Sequence, residues 1–119
     1  STCLERVREL RARGVITGFR ADVDPAAIGR PMEAILSIQQ RAARSGAIET
    51  LHDHAASLPE TVRVMAITGT TDFIIHVAVR DMADLRELVW SLTERPEVAR
   101  VQSSLVFARA EGPPLMPPS

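Results

Sequence analysis

The alternation of apolar and polar positions divides the chain into a regular series of short elements. From Met32 to Gln40 the period is two, which places Met32, Ala34, Leu36 and Ile38 on one face of a predicted strand. After Ser45-Gly46 the period lengthens. Ile48, Leu51, Ala55 and Leu58 form the inward stripe of a helix predicted over Ala47–Leu58. Thr61–Ile67 and Asp72–Arg80 return to a strand pattern, and the Thr68-Gly69-Thr70-Thr71 connection between them predicts a hairpin by its length and its glycine. Asp81 can cap the next helix, where Leu85, Leu88, Val89 and Leu92 follow the i, i+3, i+4, i+7 rule until Pro96 closes it. Val98–Ala108 reads as the last strand.

Strand, helix, strand, strand, helix, strand is the split βαβ order. The predicted class is therefore α+β, a ferredoxin-like βαββαβ fold with an antiparallel sheet and both helices on one face. The alternate positions Ile35, Met65, Ile67, Ile74, Ala78 and Val106 are apolar too. Two hydrophobic sheet faces with helices for only one leave the other to be buried elsewhere. A second copy is the simplest cover, so the pattern predicts a homodimer packed through the sheets.

Upstream, Thr2–Arg13 reads as a helix in which Thr2 and Glu5 have capping-box spacing. Leu4, Val7 and Leu10 recur three apart, Arg6, Arg8, Arg11 and Arg13 occupy the rest, and Gly14 is a natural stop. A strand over Val15–Asp22 and a turn at Asp24-Pro25 follow, and the far end, Gly112–Ser119, is a proline-rich tail expected to be disordered.

Composition narrows the function classes. The 119 residues suit one domain, and fourteen basic against fifteen acidic side chains argue against a chain-wide nucleic-acid coat while leaving room for a local basic patch. Every basic residue is Arg. No apolar run approaches the ~20 residues of a membrane span, so no membrane partner is expected. Cys3 is the single cysteine and cannot form an internal disulfide, which makes a reducing cytoplasm the expected location. The chain opens at Ser1 directly in helical pattern, as a piece of a longer protein would. His52 and His54 lie roughly 200° apart around their helix and His76 stands alone in its strand, so neither a metal nor any other cofactor is expected. The sequence has no Gly-x-Ser-x-Gly elbow, Walker loop or dinucleotide fingerprint, and no enzyme activity is expected.

The stretch from Ser1 to Leu10, with Gly14-Val15-Ile16 and Gly18-Phe19, resembles the recognition helix and hinge strand of the leucine-responsive regulatory protein/AsnC family of feast-or-famine transcription regulators. Ala21-Asp22-Val23-Asp24-Pro25 and Ile28-Gly29 continue the likeness into the linker. Pro59-Glu60-Thr61-Val62, the Thr68–Ile75 segment and the strand from Val98 to Phe107 resemble the effector-binding domain. The resemblance implies a regulator that binds DNA through an N-terminal helix-turn-helix, dimerises, assembles into octamers of four dimers and responds to amino acids. It divides the chain into a remnant recognition helix (1–13), a hinge strand and linker (14–30), a ferredoxin-like effector-binding and oligomerisation domain (31–109) and a tail (110–119). The family's first two DNA-binding helices would precede Ser1. DNA binding is therefore expected of an intact parent, and only weakly of this chain, because a recognition helix is braced by the helix before it.

Two candidate sites follow. At the first helix, Ser1 and Thr2 would meet phosphate or base edges at the helix N-terminus, and Arg6 and Arg8 would contact phosphate or guanine. The plainer alternative is an amphipathic helix with solvated arginines. At the hairpin, Thr68, Gly69, Thr70 and Thr71 would hold an amino acid's carboxylate by backbone N–H groups and hydroxyls, and Asp72 would meet its ammonium. Ser103 and Ser104, where the family has hydroxyl side chains, would complete that site. The plainer alternative is a turn whose Gly adopts a positive φ and whose Asp caps a strand. Two other function classes fit parts of the pattern: a stand-alone amino-acid sensor without DNA binding, and a small dimeric α/β-barrel enzyme, which would need a polar cluster under one sheet face.

Overall fold

Residues 2–13, 23–41 and 47–118 are described by the structure, a computed structural model, with the backbone alone for Thr2, Leu4, Val7, Leu10, Arg11, Ala47 and Ile48. Ser1, the strand expected over 15–22, the Ser45-Gly46 turn, the Thr2 cap and the Leu4, Val7 and Leu10 stripe lie outside that description. Helix α1 spans Thr2–Ala12, and a 3-10 turn spans Pro25–Ile28. Then come β1 (Met32–Gln40), α2 (Ala47–Ser57), β2 (Thr61–Ala66), β3 (Phe73–Val79), α3 (Met82–Thr93) and β4 (Val98–Leu105).

Local chemistry sets the punctuation. Asp24 Oδ1 accepts from the Ala26 N–H at 3.1 Å, Pro25 opens the 3-10 turn, and Gly29 closes it at φ +81°. Asp81 caps α3 as its position promised, accepting from the Asp84 N–H at 2.9 Å. Thr61 Oγ1 donates to the Ala55 carbonyl at 2.6 Å and ties the start of β2 to α2.

The four strands form one antiparallel sheet in the order β2-β3-β1-β4. This is the predicted ferredoxin-like arrangement. The register sets Ala34 against Val77, Leu36 against Ile75 and Ile38 against Phe73, so their side chains share the helix-covered face. There they meet Leu51 and Ala55 of α2 and Leu85, Leu88 and Leu92 of α3, all buried. Burying one such side chain stabilises the fold by about 1.5–3 kcal/mol, which is why period-two and period-3.6 stripes converge here.

Two expectations need adjustment. β4 ends at Leu105, three residues short of Ala108. Val106 still donates its N–H to the Glu33 carbonyl at 2.9 Å, and Phe107 beyond it is fully exposed. The face left open by the helices is also not uniformly apolar. Ile74 lies opposite Met65 and diagonal to Ile35, whereas Glu33, Arg63, His76, Arg100, Gln102 and Ser104 occupy other positions on the same side. The apolar positions of this face alternate with charged and polar ones.

Replacing Leu36 by Ala removes a fully buried side chain and should lower the unfolding free energy by about 2–5 kcal/mol in urea denaturation. Leu105→Ala, at a side chain 55% exposed, should change it by under about 1 kcal/mol.

Candidate functional site

The hairpin between β2 and β3 is held by three bonds that converge on Asp72. Its carbonyl accepts from the Ile67 N–H at 3.1 Å, its N–H donates to the Ile38 carbonyl at 2.9 Å, and its Oδ2 accepts from the Gln40 N–H at 2.7 Å. The short last bond is charge-assisted, so Asp72 fastens the loop to the end of β1. Gly69 sits at φ +115°, outside the range L side chains adopt readily. Thr68, Gly69 and Thr70 are exposed, and Thr71 is half-buried. The turn-and-cap alternative is thus realised, while the loop still presents hydroxyls and backbone to solvent. Beside it, Gln40 Nε2 is buried without a hydrogen-bond partner among the described residues.

Ser103 and Ser104 are not gathered to this loop as a pair. Ser103 lies opposite Leu36 and Ser104 opposite Ile35, so their side chains leave the sheet on opposite faces. β1 stands between β4 and β3, a separation of about 10 Å at ordinary strand spacing. In α1, Arg6 and Arg8 are exposed, two positions apart and therefore on different sides of the helix. Glu9 lies 3.7 Å from Arg13 in the same helix. Ser1 falls outside the described residues.

A second polar constellation was missed by the sequence reading, which left His76 alone. Glu33 Oε1 lies 2.9 Å from His76 Nε2 and 3.2 Å from Arg109 Nη1, with the His76 and Glu33 side chains 20% and 15% exposed. Register explains it. Glu33 pairs with Ala78 and Ile35 with His76, making Glu33 and His76 diagonal neighbours on the open face. No local pattern in the sequence announces a contact between residues 33, 76 and 109. This is the kind of polar cluster under a sheet that the enzyme alternative required. Among the described residues, no three His, Cys, Asp or Glu side chains could hold a metal ion, and no helix is long and apolar enough to cross a membrane.

Residues 33–114 match the Lrp/AsnC ligand binding domain. The chain belongs to this family. The HTH-type transcriptional regulator AldR of Mycolicibacterium smegmatis is 41% identical over 113 residues, covering 94% of this chain and 66% of that protein. AldR of Mycobacterium tuberculosis is 39% identical over 113 residues, covering 94% and 63%. The chain therefore spans just under two thirds of the length of these two curated relatives. Among solved structures, the transcriptional regulator NMB0573 of Neisseria meningitidis, in complex with L-Met, superposes with a TM-score of 0.83 at 26% identity, covering 94% of this chain and 73% of that one. The relatives are transcription regulators, and the polar cluster lies within an Lrp/AsnC domain.

An added Cβ at Gly69 would meet nothing within 4 Å, so Gly69→Ala tests backbone strain alone. It should cost about 1–2 kcal/mol in thermal or urea unfolding, and an unchanged midpoint would contradict the strained turn.

Proposed function

We propose that this chain is the effector-binding and oligomerisation part of a DNA-binding transcription regulator that responds to amino acids. The observation that carries this reading is the hairpin loop of an Lrp/AsnC domain, in which a positive-φ glycine, exposed threonines and a fixed carboxylate are collected at one edge of the sheet. Asp72 spends one oxygen on the Gln40 N–H, and its second can meet an ammonium, while Thr70 and the Gly69 backbone meet the carboxylate. The neighbouring L-Met complex supports an amino acid as the ligand class.

Residues 31–109 form the effector and assembly domain, 1–13 the last helix of a helix-turn-helix, 14–30 the hinge and linker, and 110–119 a tail. DNA is met by the intact N-terminal domain, with Ser1 and Thr2 at phosphate or base edges and Arg6 and Arg8 at phosphate or guanine. Dimers form through the open sheet face, where Ile35, Ile74, Met65 and Ile67 await a cover, and four dimers close an octamer. The protein works in the cytoplasm and does no chemistry on its ligand.

Calorimetric titration of the chain with the common amino acids should find at least one that binds saturably, and Asp72→Ala should weaken it at least about tenfold. An unchanged affinity would remove Asp72 from the site. Light scattering at micromolar concentration should report dimers or larger, and a monomer would refute the sheet-to-sheet assembly.

A further inference from the structure

We propose that the segment after β4 is a docking arm whose proline-rich part packs on Trp90 of a second copy of this chain. Two exposed apolar features carry this, and neither has a role in the hairpin site. The first is Trp90, the single tryptophan, which is 67% exposed. Leu88 and Leu92 of α3 are buried in the core, and Trp90 stands two residues from each, so its indole leaves the helix on the side facing away from the sheet. One turn away on either side are Arg86 and Glu94, both exposed, which give the indole a charged rim. A large aromatic inside such a rim has the make-up of a small interface core. Sheet-to-sheet pairing leaves this side of α3 uncovered.

The second feature is the arm. From Ala110 to Pro118 no residue makes a hydrogen bond or ion pair with another described residue, and Leu115 is 100% exposed. The stretch Gly112-Pro113-Pro114-Leu115-Met116-Pro117-Pro118 carries no charged side chain, and its prolines hold it near polyproline II before any contact forms. That conformation repeats every three residues, so Pro114 and Pro117 share one edge about 9 Å apart. Such edges dock on aromatic side chains, with little chain entropy left to lose. Among the described aromatic residues Phe73 is buried and Phe107 belongs to the root of the arm itself, which leaves Trp90 as the platform.

Reach assigns the platform to another copy. Arg109, at the arm's root, lies 3.2 Å from Glu33 on the open sheet face, near the start of β1. Trp90 is on the opposite side and toward the other end. α3 starts beside the end of β3 that pairs with Met32 and runs toward the start of β4, which pairs with Gln40. Pro114 reaches only about 16 Å from Arg109 along a polyproline II arm. The helix alone is about 10–12 Å across and Trp90 lies roughly 12 Å along it, and the path must also round the sheet.

Trp90 supplies its own probe, because the chain has no tyrosine and its emission reports the solvent around one indole. The full chain should emit at shorter wavelength than a chain ending at Glu111, which keeps Arg109 and its ion pair with Glu33. The shortened chain is then refolded from urea with an excess of full-length Trp90→Phe, which brings arms and no tryptophan. This mixture should recover the short-wavelength emission. Placing Pro114→Gly and Pro117→Gly in the arm-bearing chain should raise the concentration needed for half recovery at least about tenfold. Equal emission from the full and shortened chains would overturn the proposal, since Trp90 would then be in solvent in both. A mixture that stays at the emission of the shortened chain would overturn it too, by putting the arm on its own copy. Recovery indifferent to the two glycines would remove the proline edge as the docking element.

Discussion

The molecule is organised around β1, one of the two central strands that hydrogen-bond on both edges. β3 pairs with one side and β4 with the other, so every long-range backbone ladder except that of β2 passes through residues 32–40. Ala34, Leu36 and Ile38 are fully buried beneath the helices, and no other strand position could move without disturbing them. A one-residue slip would turn these three side chains outward and bring Glu33, Ile35 and Ser37 into the core. The cost of burying the Glu33 carboxylate there enforces the register.

The same strand positions the hairpin site and the polar cluster. At its C-terminal end the Gln40 N–H holds Asp72 and with it the hairpin. At its N-terminal end Glu33 holds His76 and Arg109. Seven residues of extended chain separate these ends by about 24 Å. A rigid, doubly paired strand fixes the separation, whereas the loops at either end are free to present different chemistry. On the open face between them Ile35, Ile74 and Met65 lie among polar residues, with Glu33, Arg63 and His76 toward one end and Arg100, opposite Gln39, toward the other. In the proposed dimer these apolar side chains contribute the hydrophobic burial.

The element order was legible because each stretch repeats with one period. Leu85, Leu88 and Leu92 could only make a helical stripe, and Ala34, Leu36 and Ile38 only a strand face; both were found where the pattern put them. Asp81 and Asp24-Pro25 were legible for a related reason, since a cap or a turn is a bargain between neighbours in sequence. The hairpin loop was also visible, because Gly69 and the short connection are local. The end of β4 was not. Val98–Ala108 contains no Gly or Pro to mark a stop, so nothing local shows that β4 ends at Leu105, one residue before its last backbone bond to β1.

By itself, the order of residues determined the number and kind of elements, the face each buries, the ferredoxin-like class and the family resemblance, since all of these follow from periodicity and short-range signals. Tertiary structure alone decided that Asp72 is fastened to Gln40 and that Glu33, His76 and Arg109 meet. These are contacts between residues more than thirty positions apart. They exist only after pairing has chosen a register, and that choice is made by the whole buried face at once.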